Sequence, residues 1–499
     1  MNAVVITNWR DNTHPHAGGA EVCCGEVARL LAAGGHEVVY LTAAVEGRPH
    51  TEEVDGYRLV RHGGRFTVYL WALWWLLGHR RQVAGVIDSQ NGIPFFSPLV
   101  LRSRTPVVLL LHHVHQTQFA QYLSRPEATV ARWLERSACR MVYRDRLVAA
   151  MSPSTRRDAR RVLGLRGPIH VVPPGWRLSG PLGRNQDDRS DRPRIVCVGR
   201  MVPHKRYDSI ISAMPDTLAR RPDVELYLVG DGPERPRLEH LVAELGIRAA
   251  VHFCGSLPSA ARDELVRSAW VTINASTGEG WGLSVVEANA LGVPAVAFRV
   301  AGLRDSIRHG ETGWLIDDGG DLSAGILHAL SCVDDPDDAA EWARRTTRWV
   351  TSFSWDQTAL LLGELLVSES SRLAQSGPER RHLSDLAVKV SVPTGMLPSK
   401  SMPRLRRTDR WAIGEQRLTV LLLGCDAAGA RRAFARAGIA TEGATRTGFC
   451  FELARPADHV VVSHPTEPAT VVPVPAPSHS GHHGFERRAP RRSASEESR

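Results

Sequence analysis

This 499-residue sequence contains no CxxC pair and no regular cysteine spacing among its eight cysteines. That argues against a disulfide framework and against a cysteine-rich zinc module, and it suits a reducing compartment such as the cytoplasm. Cys197 and Cys254 instead fall in apolar, strand-like runs, where a thiol acts as a small hydrophobe. A long hydrophobic run is also missing. The longest nearly uninterrupted one, Phe66 to Leu77, covers 12 residues, against roughly 20 for a helix that crosses a bilayer. No secretory leader is expected, because Met1 runs directly into the strand-like Ala3–Ile6. No complete Gly-x-Gly-x-x-Gly follows the first strand, which weighs against a nicotinamide-dependent oxidoreductase. No strand ends in Asp-x-Asp; Asp317-Asp318 and Asp334-Asp335 sit in polar turns. A metal-held substrate phosphate is therefore not expected.

What is present is a soluble composition, 43% hydrophobic and 23% charged, of a length that suggests two domains and an appendage. The net charge of +9 suits an anionic partner without selecting one. Part of the excess lies in the tail, at Arg487, Arg488, Arg491 and Arg492. No nucleic-acid partner is expected.

The first third alternates short β-branched runs with helical patterns, as in a parallel sheet covered by helices. Strands are expected at Ala3–Thr7, Glu37–Leu41, Val86–Asp88, Val107–Leu111, Leu147–Ala150 and His170–Val172. Cys23, Val27, Leu30 and Leu31 recur at helical spacing, and Gly34-Gly35 stops that helix. Residues 1–178 thus read as one Rossmann-like domain, and polar residues 179–193 as a linker. A second such domain spans 194–372, with strands at Arg194–Val198, Val224–Val229, Val251–Phe253, Trp270–Asn274 and Pro294–Phe298. Its terminal helix, 354–370, is expected to pack back toward the first domain. The fold class is α/β, two doubly wound domains facing across a cleft. Ligands bind outside the carboxyl ends of such strands. Residues 373–410 read as a linker, 411–462 as a small αβ appendage and 463–499 as a disordered tail.

Two carboxylates stand out in the segment Gly278-Glu279-Gly280-Trp281-Gly282-Leu283-Ser284-Val285-Val286-Glu287. Glu279 lies in a glycine-rich loop, and Glu287 about a turn inside a helix that opens near Leu283. The glycines let the backbone approach a ligand, and the helix start offers N–H groups to an anion. A nucleotide diphosphate sugar fits both ends, its phosphates on the amides and its hydroxyls on the carboxylates. An earlier loop, Val198-Gly199-Arg200 to Lys205, leaves a strand carrying two cations. Arg200 and Lys205 can neutralise a diphosphate, and so stabilise it as a leaving group in place of a metal.

With Gly18-Gly19, Gly34-Gly35-His36-Glu37-Val38, Val172-Pro173-Pro174-Gly175, Val229-Gly230-Asp231-Gly232-Pro233 and Ala301-Gly302 to Gly313, these motifs resemble glycosyltransferase family 4 over residues 1–370. That family comprises retaining enzymes of the GT-B fold. The resemblance implies that Glu287 holds the ribose, Glu279 the transferred sugar, and Arg200 with Lys205 the diphosphate. It implies backbone contacts from Gly19, Gly282, Leu283 and Ser284, and a histidine near donor and acceptor, assigned to His112 with His113 in reserve. It further implies attack on the face the leaving group departs from, with no cofactor and no metal.

Blander readings stand beside these. The His112-His113-Val114-His115 cluster has metal-like composition, but no partner cluster accompanies it. Trp71, Trp74 and Trp75 could mark a helix resting on a membrane surface, although tryptophans at helical spacing are more often core. Rival functions are a sugar phosphorylase or epimerase on the same fold, or a catalytically silent nucleotide-sugar sensor. The acceptor, whether glycan, lipid-linked or a small molecule, is assigned to the first domain, at the Gln90 to Pro98 and Gln116 to Tyr122 loops. A cytoplasmic enzyme with peripheral membrane contact is the expected setting.

Overall fold

The computed structural model describes residues 3–374, 387–393, 410–413, 417–423 and 450–453. Residues up to 374 build two sheets. The first contains β1 (Ala3–Thr7), β2 (Val38–Thr42), β3 (Thr51–Val54), β4 (Tyr57–Arg61), β5 (Val83–Gln90), β6 (Val107–Leu111), β7 (Leu147–Ala150) and β8 (Ile169–Val171). Its order is β3-β4-β2-β1-β5-β6-β7-β8, parallel except where β3 turns back on β4. The second contains β9 (Arg194–Val198), β10 (Glu225–Val229), β11 (Val251–Gly255), β12 (Val271–Asn274), β13 (Ala295–Phe298) and β14 (Gly313–Ile316), in the order β11-β10-β9-β12-β13-β14. β1, β2, β6, β7, β12 and β13 are buried along their whole length, which is why they read as unbroken apolar runs.

Both sheets reverse direction at an internal point, between β1 and β5 in the first and between β9 and β12 in the second. Loops that leave neighbouring strands on opposite sides open a crevice there. The two crevices supply the walls of the site.

The β3–β4 hairpin and β14 fall outside the strands expected from sequence. Asp55 and Gly56 both take left-handed backbone angles, the geometry of a two-residue hairpin turn, so the Asp-Gly pair was a usable signal. Arg61, at the end of β4, is buried where alternation would place an apolar residue. It binds Asp11 at 2.6 Å and Glu52 at 2.7 Å, and so ties the loop after β1 to the sheet. Burying that guanidinium is tolerable only because both carboxylates accompany it.

The tryptophan helix, Thr67–His79, divides its rings. Trp71 and Trp75 pack against the core of the first sheet, whereas Trp74 is 71% exposed. The core reading holds for two of the three.

The helix Trp355–Ala374 follows the second sheet but packs on the first. Its Leu362, Leu365 and Leu366 share a core with Val27 and Leu31 of the helix Gly19–Ala33, and Arg146 reaches its Glu369 at 3.4 Å. Where the chain passes from the first sheet toward the second, Gly175 lies against the start of this helix. A Cβ there would stand 2.1 Å from the Trp355 nitrogen.

The described residues from 387 onward belong to a separate unit, with β15 (Ala387–Pro393), β16 (Arg410–Ile413), β17 (Arg417–Leu423) and β18 (Cys450–Leu453) in an antiparallel sheet. This corrects the reading of 373–410 as linker throughout. β15 is a central strand in which Val388, Val390 and Val392 alternate with Lys389 and Ser391, a period-two pattern that the surrounding Pro and Ser residues obscured. The helical part of the αβ appendage expected at 411–462 and the disordered tail expected at 463–499 lie outside the described residues. The six cysteines described are all free thiols, and no described helix is long and apolar enough to cross a membrane.

Gly175→Ala should force the crossover away from Trp355. The expected loss is roughly 1–3 kcal/mol, as for overpacked sites, seen as a lower thermal midpoint. An unchanged midpoint would show that this close approach is not maintained in solution.

Candidate functional site

A cavity of about 990 Å³ lies between the two sheets. Loops after β1, β5 and β6 form one wall, and loops after β9, β10 and β12 the other. Gly19, His112, Arg200, Lys205, Glu279, Gly282, Leu283 and Ser284 all line it. Eight of the nine residues named from sequence are thus brought together from both lobes.

The lobes approach too closely for side chains at several points. A Cβ on Gly280 would stand 2.3 Å from the His112 carbonyl oxygen, and one on Gly19 would stand 2.9 Å from the Leu283 side chain. Gly282 opens the helix Leu283–Ala290 with a left-handed φ of 92°. Leu283 and Ser284, in its first turn, line the cavity, and their N–H groups have no preceding turn to bond to.

Glu279 carries the densest electrostatics. Its Oε1 lies 2.5 Å from the Lys205 ammonium and accepts from the Ser276 hydroxyl at 2.7 Å. Burial alone would raise this carboxyl; Lys205, Ser276 and His204 outweigh it and hold the group at about 2. Glu279 is therefore ionised at any working pH, and suited to accept hydrogen bonds from sugar hydroxyls. Arg200, two residues past the end of β9 on the loop that leads to Lys205, also lines the cavity, and among the described residues it has no carboxylate partner.

Both histidines are neutral, because burial pushes each down to about 3. They differ in reach. His112 Nε2 is bonded to the Ser89 hydroxyl at 2.9 Å, with Cys24 Sγ at 3.9 Å. The His113 ring lies against Gly278, and its Nε2 is 3.3 Å from Gln118 Nε2.

Glu287 is the one residue set back. Its side chain is 22% exposed and stands 3.9 Å from Arg262, which itself lines the cavity. Burial raises the Glu287 carboxyl to about 7, with the Arg262 charge opposing and Asp263 adding to the rise. Arg262 is drawn away by Asp263 at 2.8 Å, so Glu287 lacks a close counter-charge.

Two family models match this chain. The one described as "Glycosyltransferase Family 4" covers residues 17–179, and the one described as "Glycosyl transferases group 1" covers residues 183–348. The chain is a family 4 glycosyltransferase. Its two matched halves are the two sheets whose loops meet at the cavity. The GDP-mannose-dependent alpha-(1-6)-phosphatidylinositol monomannoside mannosyltransferase of Mycolicibacterium smegmatis is 26% identical over 384 residues, 70% of this chain and 95% of that one. The D-inositol 3-phosphate glycosyltransferase of Thermobispora bispora is 27% identical over 421 residues, 72% of this chain and 92% of that one. Among solved structures, sucrose-phosphate synthase from Thermosynechococcus elongatus shares the fold with a TM-score of 0.62 at 22% identity, over 74% of this chain and 99% of that one. The chain is accordingly a hexosyltransferase of GT-B architecture.

Sequence reading of the glycosyltransferase missed several cavity residues. Arg10, just past β1, is buried and pairs with Glu21 at 3.1 Å, and Asn91 donates to the same carboxylate at 3.2 Å. Position was the available signal, since Arg10 and Asn91 both follow strands whose carboxyl ends face the cavity. Arg262 carried none, and neither did Ser276, which is buried and supports Glu279 by its hydrogen bond. Composition held one further clue. The chain contains three lysines, at positions 205, 389 and 400, against 59 arginines. A lysine at 205 thus departs from a strong arginine usage.

Glu287 makes a pH-dependent contribution to the ligand-free protein. Its folded carboxyl titrates near 7 against an ordinary 4.5, so the folded form keeps a proton that the unfolded chain has released. Its stabilising effect is complete below 4.5 and is lost as pH rises to about 7. Glu287→Gln should flatten stability against pH over that interval, measured by denaturant unfolding at several pH values. Parallel curves for both proteins would refute the raised value.

Proposed function

We propose that this glycosyltransferase is retaining and metal-independent, and that it moves a hexose from a nucleotide diphosphate donor to an inositol-bearing acceptor, lipid-linked or free. The observation that carries this reading is the Lys205–Glu279 pair beside Arg200 and the first-turn amides of Leu283 and Ser284. The carboxylate suits the sugar, while the ammonium, the guanidinium and the amides suit the diphosphate. Cations placed at the leaving group stabilise the charge that develops as the glycosidic bond breaks, which is the task a divalent ion performs elsewhere.

In this reading the C1–O bond to the diphosphate breaks and an acceptor oxygen bonds C1 on the same face. The acceptor proton passes to a leaving phosphate oxygen. Glu287 holds the ribose, and neutral His112 or His113 borders the transferred sugar. The acceptor class is supported by the names of the two relatives described above, both of which refer to inositol. Of the two, the mannosyltransferase also makes GDP-mannose the first donor to try. A nucleotide-sugar donor suits a reaction in the cytoplasm.

A thermal-shift screen against GDP-mannose, UDP-glucose and other nucleotide sugars, with EDTA present, tests donor and metal independence together. A ligand that binds only the folded state raises the midpoint. A clear shift from one nucleotide sugar is expected; none from any of them would favour a silent sensor or scaffold. The anomeric configuration of the product, read by NMR, tests retention.

The division of roles is testable by substitution. Glu279→Gln should cut transfer by roughly 100-fold, as for loss of one preorganised electrostatic contact, with nucleotide affinity nearly intact. Equal losses in both would overturn the assignment of Glu279 to the sugar. Lys205→Ala should weaken a nucleoside diphosphate by roughly 10- to 100-fold, the worth of a charge-assisted bond, and leave the nucleoside nearly unaffected. Equal loss for both ligands would remove Lys205 from the diphosphate site.

A further inference from the structure

The helix Thr67–His79 is apolar on every side, yet only one side is covered. Val68, Ala72 and Leu76 are fully buried against the first sheet. Phe66, Leu70, Trp74 and Leu77, spaced four, four and three residues apart, form a second stripe that faces outward, with Leu70 and Trp74 each 71% exposed. A surface helix of a globular protein ordinarily carries charged residues on that side. At 13 residues it is about 20 Å long, too short to cross a bilayer and suited to lying along one.

The neighbouring segment repeats the pattern. Val130, Trp133 and Met141 are also more than half exposed, and their segment covers the same face of the sheet, through Cys139 and Tyr143 in the core that receives Val68 and Leu76. The two parts adjoin. Glu127, on the helix Arg125–Trp133, is held low chiefly by its bonds to Ser124, and the Arg65 charge next to Phe66 adds to this.

Charge on this layer is predominantly positive. Between residues 62 and 144, Asp88 and Glu135 are fully buried, leaving Glu127 as the exposed carboxylate against nine exposed arginines. Glu127 is occupied as a helix cap. Among the described residues none of the nine arginines pairs with a carboxylate, although arginines elsewhere in the chain commonly do. Unpaired cations bordering exposed tryptophan and leucine complement a surface that is apolar inside and anionic at its face.

We infer that this face of the first domain docks on an anionic phospholipid bilayer, with the Phe66–Leu77 stripe entering the interface and the surrounding arginines meeting lipid phosphates. The cavity mouth borders the patch. Tyr122, itself partly exposed at the edge of the Val130 segment, bonds His204 of the Lys205 loop at 2.5 Å, so an acceptor anchored in that bilayer would meet the cavity from the docked side.

Flotation of the full chain with vesicles tests this, using phosphatidylcholine alone and phosphatidylcholine mixed with an equal part of phosphatidylglycerol. Binding is expected to the mixed vesicles only, and it should weaken as salt rises. Arg80→Gln with Arg81→Gln should lower it by roughly 25-fold, taking each arginine as about a factor of five. Leu70→Glu with Trp74→Glu should lower it at least as far, without changing the thermal midpoint, since both side chains are exposed. No binding by the unaltered chain, equal binding to both vesicles, or full binding by the variants would overturn the inference. So would a dimer in solution that Leu70→Glu with Trp74→Glu dissociates, because a second copy would then cover the stripe. The inference gains its purpose from a lipid-linked acceptor, but the assay contains neither donor nor acceptor. Failed flotation therefore leaves the proposed reaction standing. A missing nucleotide-sugar shift in protein that still floats would count against the reaction alone.

Discussion

The site depends on one constraint: two parallel sheets present their carboxyl ends to each other across a gap too narrow for side chains at the points of contact. Backbone meets backbone where Gly280 passes the His112 carbonyl, and again within the second lobe where Gly302 passes the Glu279 carbonyl. The same holds for Gly230 against the Gly199 carbonyl. Because these contacts fix the loops, Glu279 and Lys205 come together after strands β12 and β9, Glu279 in an irregular loop and Lys205 at the end of a single 3-10 turn, Pro203–Lys205. A methyl group at any of these glycines would push apart the loops that carry the charges.

The electrostatic design is uneven across the cavity. On the second lobe, Glu279 is ionised and paired, Arg200 has no acidic partner, and Glu287 is poised near neutrality. On the first lobe, Arg10 is already committed to Glu21 and the two histidines are uncharged. Free positive potential is thus concentrated at one end, beside the helix-start amides, where an anion gains most. In a chain that uses arginine almost throughout, Lys205 stands as a compact point charge that can bridge a carboxylate and a phosphate at once.

Much of this was legible in the sequence. Strands buried on both faces announce themselves as apolar runs, so Ala3–Thr7, Val107–Leu111, Leu147–Ala150 and Arg194–Val198 match their observed bounds. The glycine-rich loop and the cation pair were readable because close approach and diphosphate binding restrict residue type. Other features were hidden for physical reasons. β14 is four residues long and begins with glycine, and β15 sits in a proline- and serine-rich setting. Arg61 is a charge in a buried position, which no alternation pattern expects. The Arg10–Glu21 pair joins residues whose proximity depends on the loop after β1 folding back. His112 and His113 differ by the direction of a ring, which depends on what each packs against.

The helix Trp355–Ala374 has a mechanical consequence. The lobes are connected twice, once through the segment after β8 and once through the start of this helix, and the two connections touch where Gly175 meets Trp355. A pair of bodies tethered at adjacent points loses sliding and twisting freedoms and keeps rotation about the shared pivot. The cavity would then gape like a book from its spine, widest at the edge farthest from Gly175. Ligands of different size would be admitted by the angle of opening, with the pivot itself unchanged.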